Sequence, residues 1–315
     1  MILNRADQTT AIRALKSAAP YIRMYKGKTF VVKAGGGVFA DTESTRVLIE
    51  QIAILHYFGV RVVMVHGGGP QVTELEGALG LKSQIVQGRR VTDAKSIDVT
   101  AMVLNGLINT RILGICRDLN IDAIGISGVD AGLVRAHKRP PVKVEGGEIV
   151  DYGFVGDING IDTTVLKKLL DNGLMPVVSP LSADESGVLL NINADTVAAA
   201  IGAELCAEKL ILCTGAPGIL ERVDDQGSLI SYTDLRGLKR LRDEKRIVDG
   251  MLPKAKAIED AIRGGVRRVH VVSYKSPEGI LGEVFTNEGT GTLIVADINA
   301  IPPNEQQTGG GAPPP

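Results

Sequence analysis

Thr29-Phe30-Val31-Val32-Lys33-Ala34-Gly35-Gly36-Gly37 is the stretch whose reading decides the fold. An apolar, largely β-branched run stops at a lysine and three glycines, as a buried strand opening into a tight loop would. Runs of the same kind recur at 61–65, 122–126, 175–179, 209–213 and 267–272. Between them, apolar residues fall at helical spacing near 43–58, 93–119, 162–172, 194–204 and 253–264. Strands apolar on both faces, alternating with helices, predict an α/β fold: a three-layer αβα sandwich with a mostly parallel central sheet. Residues 133–155 interrupt this rhythm, with two prolines and then Gly146-Gly147 between short alternating strands, and predict an inserted hairpin. A second hairpin turn is expected over 223–230. Ile12, Leu15, Ala19 and Ile22 share one helical face and predict a docking helix over 5–19. The low-complexity tail 302–315 is expected to be disordered.

Composition narrows the functional classes. The 315 residues carry 35 basic and 36 acidic side chains, a formal net charge of −1, with no basic block. Nucleic acid and anionic membrane are therefore not expected partners. Aromatics are 3% of the chain, too few for base-stacking platforms. No apolar run is expected to span a membrane. Cys116, Cys206 and Cys213 form no CxxC pair and sit in apolar stretches, which predicts reduced core cysteines in a cytoplasmic protein.

Four further segments carry chemistry. Val65-His66-Gly67-Gly68-Gly69-Pro70 is a second strand end opening through glycines into a helix, so two such loops make a shared anion site. His66 reads better as a packed histidine than as a base. In Gly88-Arg89-Arg90-Val91-Thr92-Asp93, Thr92 or Asp93 can cap the next helix, and the arginines are either surface groups or a carboxylate fork. In Asn191-Ile192-Asn193-Ala194-Asp195, Asp195 is either a helix cap or, beside nucleotide phosphates, a group that positions lysines or holds Mg2+. Gly250-Met251-Leu252-Pro253-Lys254 places a lysine where it opposes a helix dipole, which an anionic ligand would explain.

In this order the five segments resemble the amino-acid kinase family and, within it, the acetylglutamate kinases, over roughly residues 10–297. The resemblance implies ATP-dependent phosphorylation of the side-chain carboxylate of N-acetyl-L-glutamate, with Mg2+, on the route to arginine. It implies that Lys33 and Lys254 stabilise the transferring phosphoryl group, that Asp195 organises them, and that no metal is held by a dedicated protein site. Gly68, Gly69, Arg90 and Asn191 resemble the acetylglutamate contacts; Gly35, Gly36, Gly215, Gly218 and Gly250 resemble the nucleotide-binding positions. The implied lobes are 26–190 for the acceptor and 191–298 for the nucleotide, with an oligomerising helix at 1–25 and a tail at 299–315. That N-terminal helix resembles the one that interlaces arginine-inhibited members into a hexamer, a trimer of dimers. Tyr21, Lys209, His270, Glu283 and Gly289 then resemble an allosteric arginine site, although His270 alone reads as a core-strand histidine. A PII-type signalling protein is a candidate regulator on the same resemblance.

Four positions depart from the family pattern: Gly37 stands where Asn is usual, Gly215 where Asp is usual, Asp249 where a second Gly is usual, and Ser273-Tyr274-Lys275 where Asp-Gly-Arg is common. Three lie in the half expected to hold the nucleotide. Two alternatives stay open: a weakly active or non-catalytic acetylglutamate or arginine sensor, and a kinase for acetylaminoadipate. One methylene separates the two acceptors, worth only about 1–3 kcal/mol.

Overall fold

Strand β1 (Thr29–Ala34) lies inside an eight-stranded sheet, flanked by β2 (Arg61–His66) and β5 (Lys209–Thr214). With β3 (Ala123–Ser127), β4 (Met175–Ser179), β6 (Tyr232–Asp234), β7 (Arg268–Ser273) and β8 (Thr292–Val295), the order is β6-β8-β7-β5-β1-β2-β4-β3. All pairings are parallel except β7 with β8. The computed structural model describes residues 5–300 except 87–88, 144–145, 223–224, 226, 248–249 and 287–288. Gly88, Asp249, part of the 223–230 turn and residues 301–315 of the expected tail lie outside the described residues.

The period-two alternation of each strand builds two cores. Val31, Val63, Val65, Leu210 and Leu212 pack under the helices Thr164–Asp171, Ala194–Glu204 and Met251–Arg263. Phe30, Val32, Ala34, Val62, Met64, Ile211 and Cys213 face the helices Thr42–Tyr57 and Asn109–Asp118 on the other side. Three layers follow, as the apolar runs predict. Lys33 shares the face of Val31, so alternation aims it at the helices that begin near Asp195 and Lys254.

The expected strands and helices are present within a few residues, and the differences have physical causes. The hairpin over 133–155 forms its inner rung, Val142–Lys143 with Ile149–Val150. Its arms extend further, because Val134–Lys138 pairs with Gly156–Ile161 and joins Leu181–Ala183 and Leu189–Asn191 in a separate four-stranded sheet. At the second turn, Glu221 N donates to Ser228 O. The N-terminal helix runs from Arg5 to Tyr25, straight through Pro20, rather than ending at 19. Of its expected docking residues, Ile12 is 55% and Leu15 59% exposed and Ile22 is half-buried; on its own chain the helix anchors through the buried Tyr21 and Tyr25. Tyr25 meets Phe30 edge-to-face at 5.2 Å. Cys116 and Cys213 are buried, but Cys206 is exposed in a left-handed turn after the helix Ala194–Glu204, so it is not a core cysteine.

Residues 94–118 form one helix, with a π-helical segment Met102–Ile108 between the α-helices Ala94–Ala101 and Asn109–Asp118. By length and composition it is apolar enough to cross a membrane, contrary to the expectation from the sequence. Its apolar side is explained by the fold: Ile97, Val103, Leu104, Ile108, Ile112 and Cys116 are buried. The π segment also presses Leu104 and Ile108 onto Gly68, where a Cβ would stand 2.7 and 2.4 Å from their methyl carbons. A side chain at 68 would have to push those methyls aside.

Candidate active site

At the carboxyl ends of β1 and β2, the two glycine loops meet. Gly67 N donates to Ala34 O at 2.8 Å, and Gln71 Nε2 donates to Gly36 O at 2.8 Å. A Cβ on Gly36 would lie 2.6 Å from Pro70 and 3.1 Å from the Gly68 Cα, so the loops can touch only as glycines. Between them and the helix Ala194–Glu204 opens a cavity of about 250 Å³. Lys33, Gly35, Gly36, Gly68, Gly69, Arg90, Asn191 and Asp195 line it.

Asn193, not Asp195, caps that helix: its side chain accepts from Asp195 N at 2.8 Å and Thr196 N at 3.2 Å. The Asp195 carboxylate is thereby free to take both lysines. Lys33 Nζ stands 2.8 Å from Oδ1, and Lys254 Nζ donates to Oδ1 at 2.9 Å and Oδ2 at 3.0 Å. All three residues are buried. Burial alone would raise the Asp195 carboxyl, but the two ammonium groups outweigh it and hold it down to about 2. Burial and the neighbouring Lys33 charge push the Lys254 ammonium below the usual lysine range, against the pull of Asp195. Two cations share one anion in a desolvated cluster. That residual positive charge is costly unless an anion arrives.

Arg90 is fixed by a fork rather than free. Its Nη1 bonds the buried Glu76 carboxylate and donates to Ser83 Oγ at 2.8 Å; its Nη2 donates to Gly69 O at 3.1 Å and Thr73 Oγ1 at 2.5 Å. The guanidinium is thus preset at the cavity edge and ties the second glycine loop to it. Asn191 Nδ2 donates to Thr92 Oγ1 at 3.3 Å, and Asp93 caps the helix Ala94–Ala101.

His66 is fully buried, as a packed histidine would be. Nδ1 donates to Gly67 O at 3.3 Å and Nε2 accepts from Asn109 Nδ2 at 3.2 Å, and burial pushes the imidazole down to about 4.

Three glycines assigned by resemblance to the nucleotide do not line this cavity. Gly250 caps the helix that carries Lys254. Gly218 is buried, and a Cβ there would meet Thr292 Oγ1 and Leu229 at 2.6 Å, so its requirement is close packing. Gly215 is exposed beside Tyr274. Sequence reading missed Arg139, which lines the cavity and forks onto Asp157 at 3.0 and 3.1 Å through Nε. It also missed Gln71, although that residue closes the His66–Gln71 segment and could have been read as its clamp.

The residues assigned to arginine form a separate cluster at the amino end of β5. Lys209 Nζ bonds His270 Nε2 at 3.0 Å and lies 5.1 Å from the Tyr25 ring centre; His270 Nδ1 donates to Glu283 Oε1 at 2.7 Å. Glu283 Oε2 also accepts from Thr290 N at 2.6 Å and Gly291 N at 2.9 Å, after a turn at Gly289 whose φ of 65° suits glycine. Tyr21 is buried one helical turn before Tyr25. Burial, then the Arg268 charge, push Lys209 down to about 7 against the pull of Glu283 and Glu208. Burial, then the Lys209 charge, push His270 down to about 4.

The two buried histidines set an acid limit on stability. Both fall to about 4 from an ordinary 6.5, so the unfolded chain binds protons that the folded one refuses. The histidines' contribution is expected to be complete above pH 6.5 and to be lost by about 1.4 kcal/mol per pH unit for each histidine between 6.5 and 4. Urea midpoints at pH 7.5, 5.5 and 4.5 measure this; a flat series would contradict it.

A glycine-lined cavity with a buried Lys–Asp–Lys cluster can hold a polyanion and stabilise charge moving between oxygens. The comparisons agree. Residues 28–273 match the amino acid kinase family. Acetylglutamate kinase of Myxococcus xanthus is 46% identical over 289 residues, covering 90% of this chain and 94% of that protein. Acetylglutamate kinase of Symbiobacterium thermophilum is 42% identical, covering 89% and 96%. Among solved structures, N-acetylglutamate synthase from Neisseria gonorrhoeae, complexed with coenzyme A and N-acetyl-glutamate, superposes with a TM-score of 0.79 at 26% identity. That match covers 91% of this chain but 63% of the synthase. Carbamate kinase from Giardia lamblia, at 17% identity and a TM-score of 0.62, shares the fold. The chain belongs to the amino acid kinase family and, within it, to the acetylglutamate kinases.

Proposed function

We propose that this chain transfers the γ-phosphoryl group of ATP to the side-chain carboxylate of N-acetyl-L-glutamate, yielding N-acetyl-L-glutamyl 5-phosphate and ADP for arginine biosynthesis. The observation that carries the reading is the buried Lys33–Asp195–Lys254 cluster, two cations to one anion, whose Lys33 and Asp195 line the glycine-lined cavity. The acceptor carboxylate, with a pKa of about 4, is already ionised near neutral pH, so its oxygen attacks the γ-phosphorus without a general base. The bond from that phosphorus to the β–γ bridging oxygen breaks, and ADP leaves with the electron pair. Lys33 and Lys254 neutralise charge on the transferring oxygens, while Asp195 keeps both ammonium groups in place. His66 has both ring nitrogens engaged, consistent with a reaction that needs no base.

The acceptor sits between Gly68, Gly69 and Arg90 of the 26–190 lobe and Asn191 at the start of the 191–298 lobe, which holds the nucleotide. Magnesium enters as part of the MgATP substrate: both Asp195 oxygens are engaged by lysines, and among the described residues no group of three or more metal-ligating side chains gathers. The exposed Ile12 and Leu15 on the N-terminal helix support assembly through that helix into a hexamer, and the Lys209–His270–Glu283 cluster beside its last turn supports L-arginine as an inhibitor. The protein is then cytoplasmic, with a PII-type protein as candidate partner.

The test traps the acyl phosphate with hydroxylamine during ATP turnover, using acetylglutamate and acetylaminoadipate in parallel. Trapping is expected with acetylglutamate; trapping with acetylaminoadipate alone would reassign the acceptor, and trapping with neither would end the kinase reading. Arg90→Lys, which keeps the charge and loses the fork, is expected to raise KM for the acceptor by at least about tenfold, with KM for ATP unchanged.

A further inference from the structure

Gly37, Gly215 and Tyr274 are separate departures along the chain, but the fold makes them one feature. They follow β1, β5 and β7, three adjacent strands of the sheet, at the carboxyl ends where ligands of such sheets gather. A Cβ on Gly37 would stand 2.7 Å from the Tyr274 hydroxyl oxygen, and one on Gly215 would stand 3.4 Å from it. The phenol therefore occupies the space that a side chain at 37 would fill, and lies at ordinary van der Waals distance from a Cβ at 215. Its position is fixed from behind: Tyr274 N donates to Thr214 O at 2.9 Å, and its side chain packs, half-buried, against the core on the side of the sheet that holds Phe30, Val32 and Cys213. No described residue forms a hydrogen bond to the hydroxyl.

We propose that the Tyr274 hydroxyl is a nucleotide-phosphate contact, the polar group that serves the glycine loop after Lys33 in place of side chains at 37 and 215. The inference rests on the nucleotide-dependent reading of the site given above. A phenol can donate to a phosphate oxygen without adding a positive charge beside the glycine loop that follows Lys33. A half-buried ring with two χ angles holds that donor at low entropic cost. The glycine at 37 is then a requirement of the tyrosine, because any side chain there would displace the hydroxyl.

Three measurements decide this. Tyr274→Phe keeps the ring and removes the donor. Calorimetric titration of a non-hydrolysable ATP analogue is expected to give a Kd about five- to tenfold weaker than wild type, one lost hydrogen bond to a charged acceptor. Acetylglutamate affinity and Tm should not change. In turnover, KM for ATP should rise and KM for the acceptor should not. Equal analogue affinity in wild type and Tyr274→Phe would overturn the inference.

Gly37→Asn alone should weaken the analogue by forcing the ring aside. Gly37→Asn with Tyr274→Gly should recover binding, because an amide then takes the hydroxyl's place. A double variant no better than Gly37→Asn would equally overturn it. The two readings fail separately: a wild type that binds the analogue, responds to Tyr274→Phe, yet phosphorylates no acetylglutamate would lose its acceptor assignment and keep this contact.

Discussion

Lys33→Ala is expected to lower kcat by about 10²–10³-fold while leaving the fold as stable as before. The two halves of that expectation come from the same geometry. Lys33 sits at the end of a central strand with its ammonium 2.8 Å from Asp195, on the cavity wall. In the resting protein it is the surplus cation, since Lys254 alone would neutralise Asp195 through two hydrogen bonds. Removing it relieves repulsion between buried ammonium groups, so the urea midpoint should hold or rise. What disappears is positive charge available to the transferring phosphoryl group, and preorganised charge of this kind acts on the transition state more than on binding. The loss should therefore appear in kcat with KM for both substrates changed little. A Lys33→Ala enzyme with near-normal kcat would sink the mechanism. One that is destabilised by several kcal/mol would instead make Lys33 a structural residue.

Asp195→Ala is expected to damage both quantities. It leaves two ammonium groups buried beside each other with no anion, and breaking a buried ion cluster from its single shared partner costs about 3–5 kcal/mol. The urea midpoint should fall well below that of Lys33→Ala, and kcat should fall by orders of magnitude because neither lysine keeps its place. The contrast between the variants is the informative part. If Asp195→Ala were as stable as wild type, the cluster would be too hydrated to carry the charge argument, and the short distances would have no energetic meaning. Lowering the pH does not imitate the substitution, because Asp195, held near 2, stays ionised while the two histidines have already titrated.

The contrast also explains why the site was partly legible before any fold was known. The strand-then-glycine pattern at 29–37 and 65–70 reports local backbone needs, and those needs are met where the sequence says: Gly36 and Gly68 are positions that a Cβ would block. The lysine at 254 looked out of place at a helix start, and the anion that explains it is in the first instance Asp195. The cap is Asn193, two positions before Asp195, the residue whose local sequence left capping open. Asn193 and Asp195 are both good caps, and local propensity cannot say which carboxamide or carboxylate turns back to the helix and which turns to a distant lysine. Arg139 was not legible because it meets Asp157 only through the antiparallel pairing of Val134–Lys138 with Gly156–Ile161, and the approach of Tyr274 to Gly37 depends on which strands of the large sheet are neighbours.

By itself the sequence determined the alternation of buried strands and helices, and the glycines at the two strand ends. Apolar periodicity and the missing Cβ are properties of a few consecutive residues. The tertiary structure alone decided that Lys33, Asp195 and Lys254 form one cluster, that His66 is fully buried with both ring nitrogens engaged, and that Gly37, Gly215 and Tyr274 lie side by side. Those outcomes depend on which strands lie side by side and which face of each strand a residue occupies. Desolvated charges and close contacts act over only a few ångströms, so the loop after Lys33 acquires its chemistry only when the order β7-β5-β1-β2 brings its neighbours to it.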